Sequence, residues 1–473
     1  MSIDSIHSAT ATGPAAGGSP INRQRVRELI AEEGDRLNDR TAASRAMYRH
    51  AAQHLSGGVS SSYQLRDPWP IYIAEGHGQH IVDVDGNSYL DFHNGFGSMV
   101  QGHGHPVIGA AIAERYPKGT HFGMPTEDSI IVADELARRW GLPKWRFTNS
   151  GSESTMDAIR IARAYTGRDT IMKIFGSYHG HHDAVMISIG VEYDRIGPRD
   201  HLASLPYGAG IPAATVGLTV PVHFNDAESM ERRIVELDRE GRKPACVIME
   251  AAMMNLGVVL PEPGYLEAVR EITRRHGVVL IFDEVKTGLT LAAGGATEHF
   301  GVLPDLVTLA KTLGGGLPSG AIGGTEEVMS VVEDGSVYQV GTYSGNPLSM
   351  TAARASLEQI LTPEAYARLA HLNDRIVTGC QQVIVDHDLP GYALGVGAKG
   401  CVTFSPVKVV DYETFKANQD VEVTTLAWLW NMNRGIYMTP GREEEWTLSV
   451  TQDDAAIDHY VSAFADLARA ITR

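Results

Sequence analysis

Three stretches of the chain set a reactive residue type beside residues that leave room for a ligand. In Asp305-Leu-Val-Thr-Leu-Ala-Lys311-Thr-Leu-Gly-Gly-Gly316 a lysine follows an apolar run and precedes a glycine run. Glycines allow unusual backbone geometry and the close approach of a ligand. A lysine held in a pocket can form a Schiff base; a solvated surface lysine is the plain alternative. Phe282-Asp-Glu-Val285 closes one of the most apolar runs, Gly277-Val-Val-Leu-Ile-Phe282. Ligands of open α/β sheets bind at that edge of the strands. A carboxylate there is costly to bury unless a cation pairs with it. A protonated heterocyclic nitrogen would serve Asp283; a helix cap or a solvated strand end would also explain it. In Phe147-Thr-Asn-Ser-Gly-Ser-Glu153 a strand gives way through small residues to a helix beginning near Ser152. The free N–H groups and partial positive charge of a helix N-terminus suit a phosphate, and a plain cap by Ser152 is the other reading.

A phosphate cradle, a carboxylate and a lysine at the strand ends of one sheet together describe a site for pyridoxal 5'-phosphate. Other cofactors fit less well. Gly395-Val-Gly-Ala-Lys-Gly400 has the spacing of a dinucleotide fingerprint, but Cys401-Val-Thr-Phe-Ser405 after it reads as strand rather than helix. A turn between strands is the better reading, which disfavours a dehydrogenase. His179, His181, His182 and Asp183, like His103 and His105, match no standard zinc spacing and include no cysteine. They read as loop histidines bonded to backbone, and no metal is expected.

These residues need a scaffold to hold them. With 473 residues the chain has room for about two or three domains and a large core. Its 43% apolar and 21% charged residues exclude a wholly disordered chain. A net charge of −17 argues against a nucleic-acid partner. Cys246, Cys380 and Cys401 build neither a disulfide framework nor a zinc site. No apolar leader is visible and no apolar run approaches membrane-spanning length. A cytoplasmic protein without membrane contact is the expectation.

Residues 1–20, rich in Ser, Ala, Thr and Gly, read as a flexible tail. Val26, Leu29, Ile30, Leu37 and Met47 recur at helical spacing, predicting one or two surface helices over 21–55. Ile71–Ile73, His80–Val84 and Leu90–Phe92 read as strands, with a hairpin turn at Asp85-Gly86-Asn87. Further strands are expected at Arg146–Thr148, Ile171–Phe175, Cys246–Met249, Val278–Phe282 and Leu306–Leu309. Helices Ser152–Tyr165 and Pro263–His276 lie between them, the second stopping at Gly277. That alternation predicts an α/β fold with a largely parallel sheet. After Ser344 a long helix, strands Cys401–Phe404 and Gly435–Met438, and a closing helix from Asp454 predict a smaller α+β part. The expected boundaries are 21–100 for N-terminal helices and part of the small domain, 101–345 for the large cofactor domain, and 346–473 for the rest of the small domain.

Eight segments now carry a resemblance: Ser56-Gly-Gly-Val59, Val84-Asp-Gly-Asn87, Gly102-His-Gly-His-Pro106, Asn149-Ser-Gly-Ser152, Tyr178-His-Gly180, Phe282-Asp-Glu-Val285, Lys311 with Gly314-Gly-Gly316, and Gly341-Thr-Tyr-Ser-Gly-Asn-Pro347. In their order and spacing the chain from about Leu55 onward resembles the class III aminotransferases, fold-type I pyridoxal phosphate enzymes. Within them it is most similar to the glutamate-1-semialdehyde aminomutase-like branch. The resemblance implies a large domain with a mostly parallel, seven-stranded-type sheet flanked by helices, and a smaller α+β domain from the N- and C-terminal segments. It implies that Lys311 is the Schiff-base lysine and proton shuttle, and that Asp283 partners the pyridinium nitrogen. Tyr178 and Val285 would flank the ring, and Gly151 and Ser152 would hold the phosphate. Asn255 would lie near the phenolic oxygen. Thr342 would reach the phosphate of the other subunit, which implies a homodimer with shared sites.

The departures from that pattern concern substrate. Gln64 stands where the aminomutases carry an arginine for the substrate carboxylate, and glutamine lacks its charge and fork geometry. Arg66 or Arg442 is the expected replacement, and Phe96 is expected to line the pocket. Lys286 follows Val285 where an apolar residue is common, Ala251 follows Glu250 where proline is usual, and Thr290 stands where arginine is frequent. Met186–Val222 matches a gating loop in the aminomutases. The expected activity is amino transfer between an amino acid or amine, β and ω amino groups included, and a keto acid or aldehyde. Intramolecular transfer by a glutamate-1-semialdehyde 2,1-aminomutase is the alternative. Decarboxylase or racemase chemistry, or cofactor binding without catalysis, is disfavoured.

Overall fold

The computed structural model describes residues 20–439 and 444–472. The tail expected over residues 1–20 therefore lies, apart from Pro20, outside the described residues, and so does Arg442. The N-terminal pattern becomes two helices, Arg23–Asp39 and Ala42–Ala51. Asn22 caps the first by accepting from the Arg25 N–H (3.1 Å), and Val26, Leu29 and Leu37 form its buried stripe.

A meander follows, of strands β1 (Ile73–His77), β2 (His80–Asp83) and β3 (Ser88–Asp91). The first expected strand is displaced: it begins at Ile73 instead of ending there. The β2–β3 turn is the expected hairpin, with Gly86 at φ +84°. The main run comprises β4 (Lys144–Thr148), β5 (Ile171–Ile174), β6 (Thr219–Val222), β7 (Cys246–Met249), β8 (Val279–Asp283), β9 (Leu306–Leu309) and β10 (Gly320–Gly324). These make a seven-stranded sheet in the order β4-β10-β9-β8-β7-β5-β6. Only β10 runs against its neighbours, so β4 points the same way as β9. Helices Gly151–Thr166 and Tyr265–His276 pack on this sheet, close to their expected limits.

The remaining strands are β11 (Tyr392–Val396), β12 (Lys399–Thr403), β13 (Ile436–Tyr437) and β14 (Glu444–Thr447). β11, β12 and β14 form a three-stranded sheet, while β13 joins β3 in the sheet of the meander. The fingerprint-like Gly395–Gly400 is the β11–β12 hairpin, with Gly397 at φ +57°. The long helix expected after Ser344 is broken. Helix Pro347–Ala355 runs into a π-turn, Ser356–Ile360, and Thr362 then caps a new helix, Pro363–Asp386. Proline at the first helical position starts a helix, and inside one it would remove a ladder hydrogen bond and kink or break it. The closing helix is Asp454–Ile471. No helix of the described residues is long and apolar enough to cross a membrane.

Candidate active site

The sheet delivers residues from β4, β5, β7, β8 and β9 to one edge, their C-terminal ends. At the end of β8 two neighbouring carboxyls go opposite ways. Glu284 accepts from Trp140 Nε1 (3.1 Å), from the N–H groups of Ala296 (2.6 Å) and Thr297 (2.9 Å) and from the Thr297 hydroxyl (2.7 Å). Asp283 turns to the other side, where its Oδ1 accepts from the Val285 N–H (3.0 Å) and the Thr308 hydroxyl (3.1 Å). Its Oδ2 lies 2.7 Å from His179 Nδ1. Burial holds the His179 pKa below its ordinary value, with Asp283 opposing that shift. Burial thus favours the neutral imidazole; its Nδ1 faces Asp283, and its Nε2 lies 2.8 Å from the Ser177 hydroxyl, which also donates to the Ile174 carbonyl (2.6 Å). Asp283 is thus an almost fully buried carboxylate (2% exposed) without a cationic partner among the described residues.

Lys311 follows β9 at φ +47°, a left-handed conformation that is uncommon outside glycine. Burial pushes its ammonium down to about 8, and Lys286 adds to the shift. The next residue, Thr312, donates its hydroxyl to the Gly97 carbonyl (2.7 Å). Asn94 and Phe96, at φ +46° and +57°, share the left-handed geometry. Residues held this way cluster at functional sites. Phe96 is fixed by its N–H donating to His93 Nε2 (3.2 Å) and by ring contacts with His93 and with Tyr63, whose centroid is 5.4 Å away. Tyr63 in turn meets Tyr178 edge-on at 5.8 Å. The result is an aromatic wall of Tyr63, Phe96 and Tyr178.

Past β4, the cap of helix Gly151–Thr166 is Ser150, not Ser152: its side chain accepts from the Glu153 N–H (3.2 Å). Gly151 and Ser152 therefore occupy the first turn, where helix N–H groups have no partner within the helix. A Cβ on Gly151 would stand 2.9 Å from the Val285 methyls and 3.5 Å from Ala310 Cβ. One on Gly180 would stand 2.6 Å from Ser152 Oγ. The helix start, Val285, the residue before Lys311 and the turn after Tyr178 are thus in contact. Asn255 donates to Glu250 (3.2 Å), whose carboxyl burial pushes up to about 8.

The remaining candidates fall elsewhere. Thr342 is exposed on the turn before helix Pro347–Ala355. Arg66 donates to the Trp69 carbonyl (3.0 Å) and lies 5.3 Å over the Trp428 ring. Gln64 accepts from the N–H groups of Ser60 and Ser61 (3.0 and 3.1 Å). The expectation of backbone-bonded loop histidines holds for His105, which accepts from the Val107 N–H. It fails for His179 and for His103, 2.6 Å from Asp91, because buried carboxylates recruit them. Sequence reasoning also left out Thr308, Lys399 and Glu445, whose types carry no signal until the fold pairs them.

The residues present fit pyridoxal 5'-phosphate. Asp283 lacks, among the described residues, the cation a protonated ring nitrogen would supply, and the first turn at Gly151 and Ser152 offers helix N–H groups without a partner in the helix, which suit a phosphate.

A family model for class-III aminotransferases matches residues 62–428. Glutamate-1-semialdehyde 2,1-aminomutase 2 of Brevibacillus brevis is 39% identical over 425 residues, covering 89% of this chain and 96% of that protein. An omega-transaminase structure from Sphaerobacter thermophilus superposes with a TM-score of 0.85 at 34% identity, over 90% of this chain and 97% of its own. A glutamate-1-semialdehyde aminomutase structure from Pseudomonas aeruginosa PAO1 gives 0.87 at 26% identity, over 96% of this chain and all of its own.

Proposed function

The chain belongs to the class-III aminotransferases, pyridoxal phosphate enzymes, and on that premise we propose that it moves an amino group between an amino acid or amine and a keto acid or aldehyde. The observation that carries this reading is the meeting, at one sheet edge, of a strained lysine, a buried carboxylate without a cation and an open helix N-terminus. Lys311 would hold the cofactor covalently and Asp283 would pair with its ring nitrogen. Tyr178 and Val285 would flank the ring, Gly151 and Ser152 would take the phosphate, and Asn255 would lie at the phenolic oxygen. When bound, the cofactor supplies an electron sink and a temporary carrier for the amino group.

The chain's own residues do the rest. Contacts from Val285, Thr308 and His179 fix the Asp283 carboxyl in place, so it can face the ring nitrogen and pair with a proton there. With its ammonium depressed to about 8, Lys311 Nζ is partly free base at neutral pH and can take and return a proton. A homodimer completes the reading. Tyr338, Val340 and Tyr343 are 79%, 72% and 60% exposed around Thr342, and the Tyr343 ring contacts His121 beside exposed Phe122 and Met124.

Intramolecular transfer is the second reading. Met186–Val222 favours it, since its arms pair at the base, Tyr207 N–H to the Met186 carbonyl (2.9 Å) and Ser188 N–H to that of Leu205 (2.7 Å). That is the shape of a flap able to retain an intermediate. The visible spectrum of the cofactor-loaded protein decides between the readings. We expect one amino donor in a panel to abolish the band of the lysine-bound cofactor, and a keto acid to restore it. A band that only glutamate-1-semialdehyde alters would favour the aminomutase, and no band after reconstitution would overturn both.

A further inference from the structure

Two ammonium groups share one carboxylate at the edge of this site. Lys286 Nζ donates to Glu445 Oε2 (2.8 Å) and to the Met254 carbonyl. Lys399 Nζ donates to Glu445 Oε1 (3.3 Å) and to the Thr447 hydroxyl (2.8 Å). An ammonium has three N–H donors, so among the described residues each lysine keeps one donor uncommitted. The charges do not close either. The lysines hold Glu445 below the usual carboxylate range despite its burial, which leaves the trio with one surplus positive charge. Glu250, pushed up to about 8, is uncharged near neutrality and does not offset it. Lys399 has no exposed side-chain surface, whereas Lys286 keeps 12%. A buried ammonium without its counter-charge is costly, and one that opens onto a ligand site is a receptor for an anion.

The trio lies away from the phosphate cradle. Lys399 Nζ is 2.8 Å from where a Cβ on Gly97 would stand, beside Phe96 of the aromatic wall. Lys286 is held at Met254, next to Asn255. The other residues expected to meet a substrate carboxylate are engaged: the Arg66 guanidinium lies over Trp428 and donates to the Trp69 carbonyl, and the neutral Gln64 amide accepts from the Ser60 and Ser61 N–H groups. We propose that Lys286, backed by Lys399 and Glu445, receives the carboxylate of the amino donor, so that the substrates are amino acids rather than simple amines. The inference rests on the amino-transfer reading and names its substrate class.

The test compares β-alanine with propylamine as donors to the cofactor-loaded enzyme, and measures propionate binding by calorimetry. The native chain is expected to favour β-alanine. Lys286→Met is expected to lower the ratio of the two kcat/KM values by about 30-fold or more and to weaken propionate about tenfold, as removal of a charged partner does. Lys286→Arg should keep most of both. An unchanged ratio with unchanged propionate binding in Lys286→Met, or a native preference for propylamine, overturns the proposal. Should Lys286→Met fail to fold, Glu445→Gln decides: it enlarges the surplus charge, so tighter propionate binding supports the proposal and equal or weaker binding overturns it. If the unmodified enzyme converts neither donor, the amino-transfer reading is decided by the wider donor panel, while the propionate titration still decides the anion site.

Discussion

Neighbouring residues of one type have been given opposite tasks by their surroundings. Glu284 is fully engaged by the helix at Gly295–Phe300, and Asp283 is left facing the site. Glu250 is a third case, a buried carboxyl that stays protonated. Its folded pKa of about 8 lies above the ordinary 4.5. Between those values the folded protein keeps a proton that the unfolded chain has released, so stability falls as pH rises across that window. Glu250→Gln is isosteric and keeps an acceptor for Asn255. Its melting temperature, relative to the parent, is expected to rise from pH 5 to pH 8; a constant difference would contradict the assigned protonation. At this scale Lys311, Asp283 and Gly151 were legible, because a reactive type beside glycine or at the end of an apolar run is a local signal. His179 was not, because its partner lies 104 positions away. Glu445 and Lys399 were silent for the same reason.

At the scale of elements, strands with apolar alternation or runs were readable, and β7 and β9 fall where expected. β10 was invisible because Gly320-Ala-Ile-Gly-Gly324 has no strand propensity. Packing selects these glycines. A Cβ on Gly323 would stand 2.5 Å from the Trp145 ring, and one on Gly320 would stand 2.3 Å from Thr148 Oγ1. β10 lies between β4 and β9, so it fixes the spacing of the phosphate helix and Lys311. Gly323→Ala is expected to cost about 1–3 kcal/mol by overpacking, read as a shift of the denaturation midpoint. Gly109→Ala, in a helix with open space around it, should be neutral or stabilising. Equal effects would show that the Trp145 contact does not set β10. The break at Pro363 was announced by its own residue; the π-turn before it was not, since nothing in Ser356–Ile360 differs in pattern from ordinary helix.

Across the whole molecule, an acidic chain concentrates cations in one place. The net charge is −17, yet Lys286, Lys311 and Lys399 gather at a single edge of the sheet, where Lys286 helps to lower both Lys311 and Lys399. Sequence order separates them; only the sheet topology and the β12–β14 pairing unite them. Their proximity also makes the central claim, that Lys311 and not its neighbours carries the cofactor, a sharp one. Borohydride treatment of the cofactor-loaded protein fixes the cofactor to whichever lysine bears it, and peptide mass spectrometry locates the modification. Modification of Lys311 alone is the result this account predicts. Modification of Lys286 or Lys399 in its place, or of no lysine at all, would contradict it.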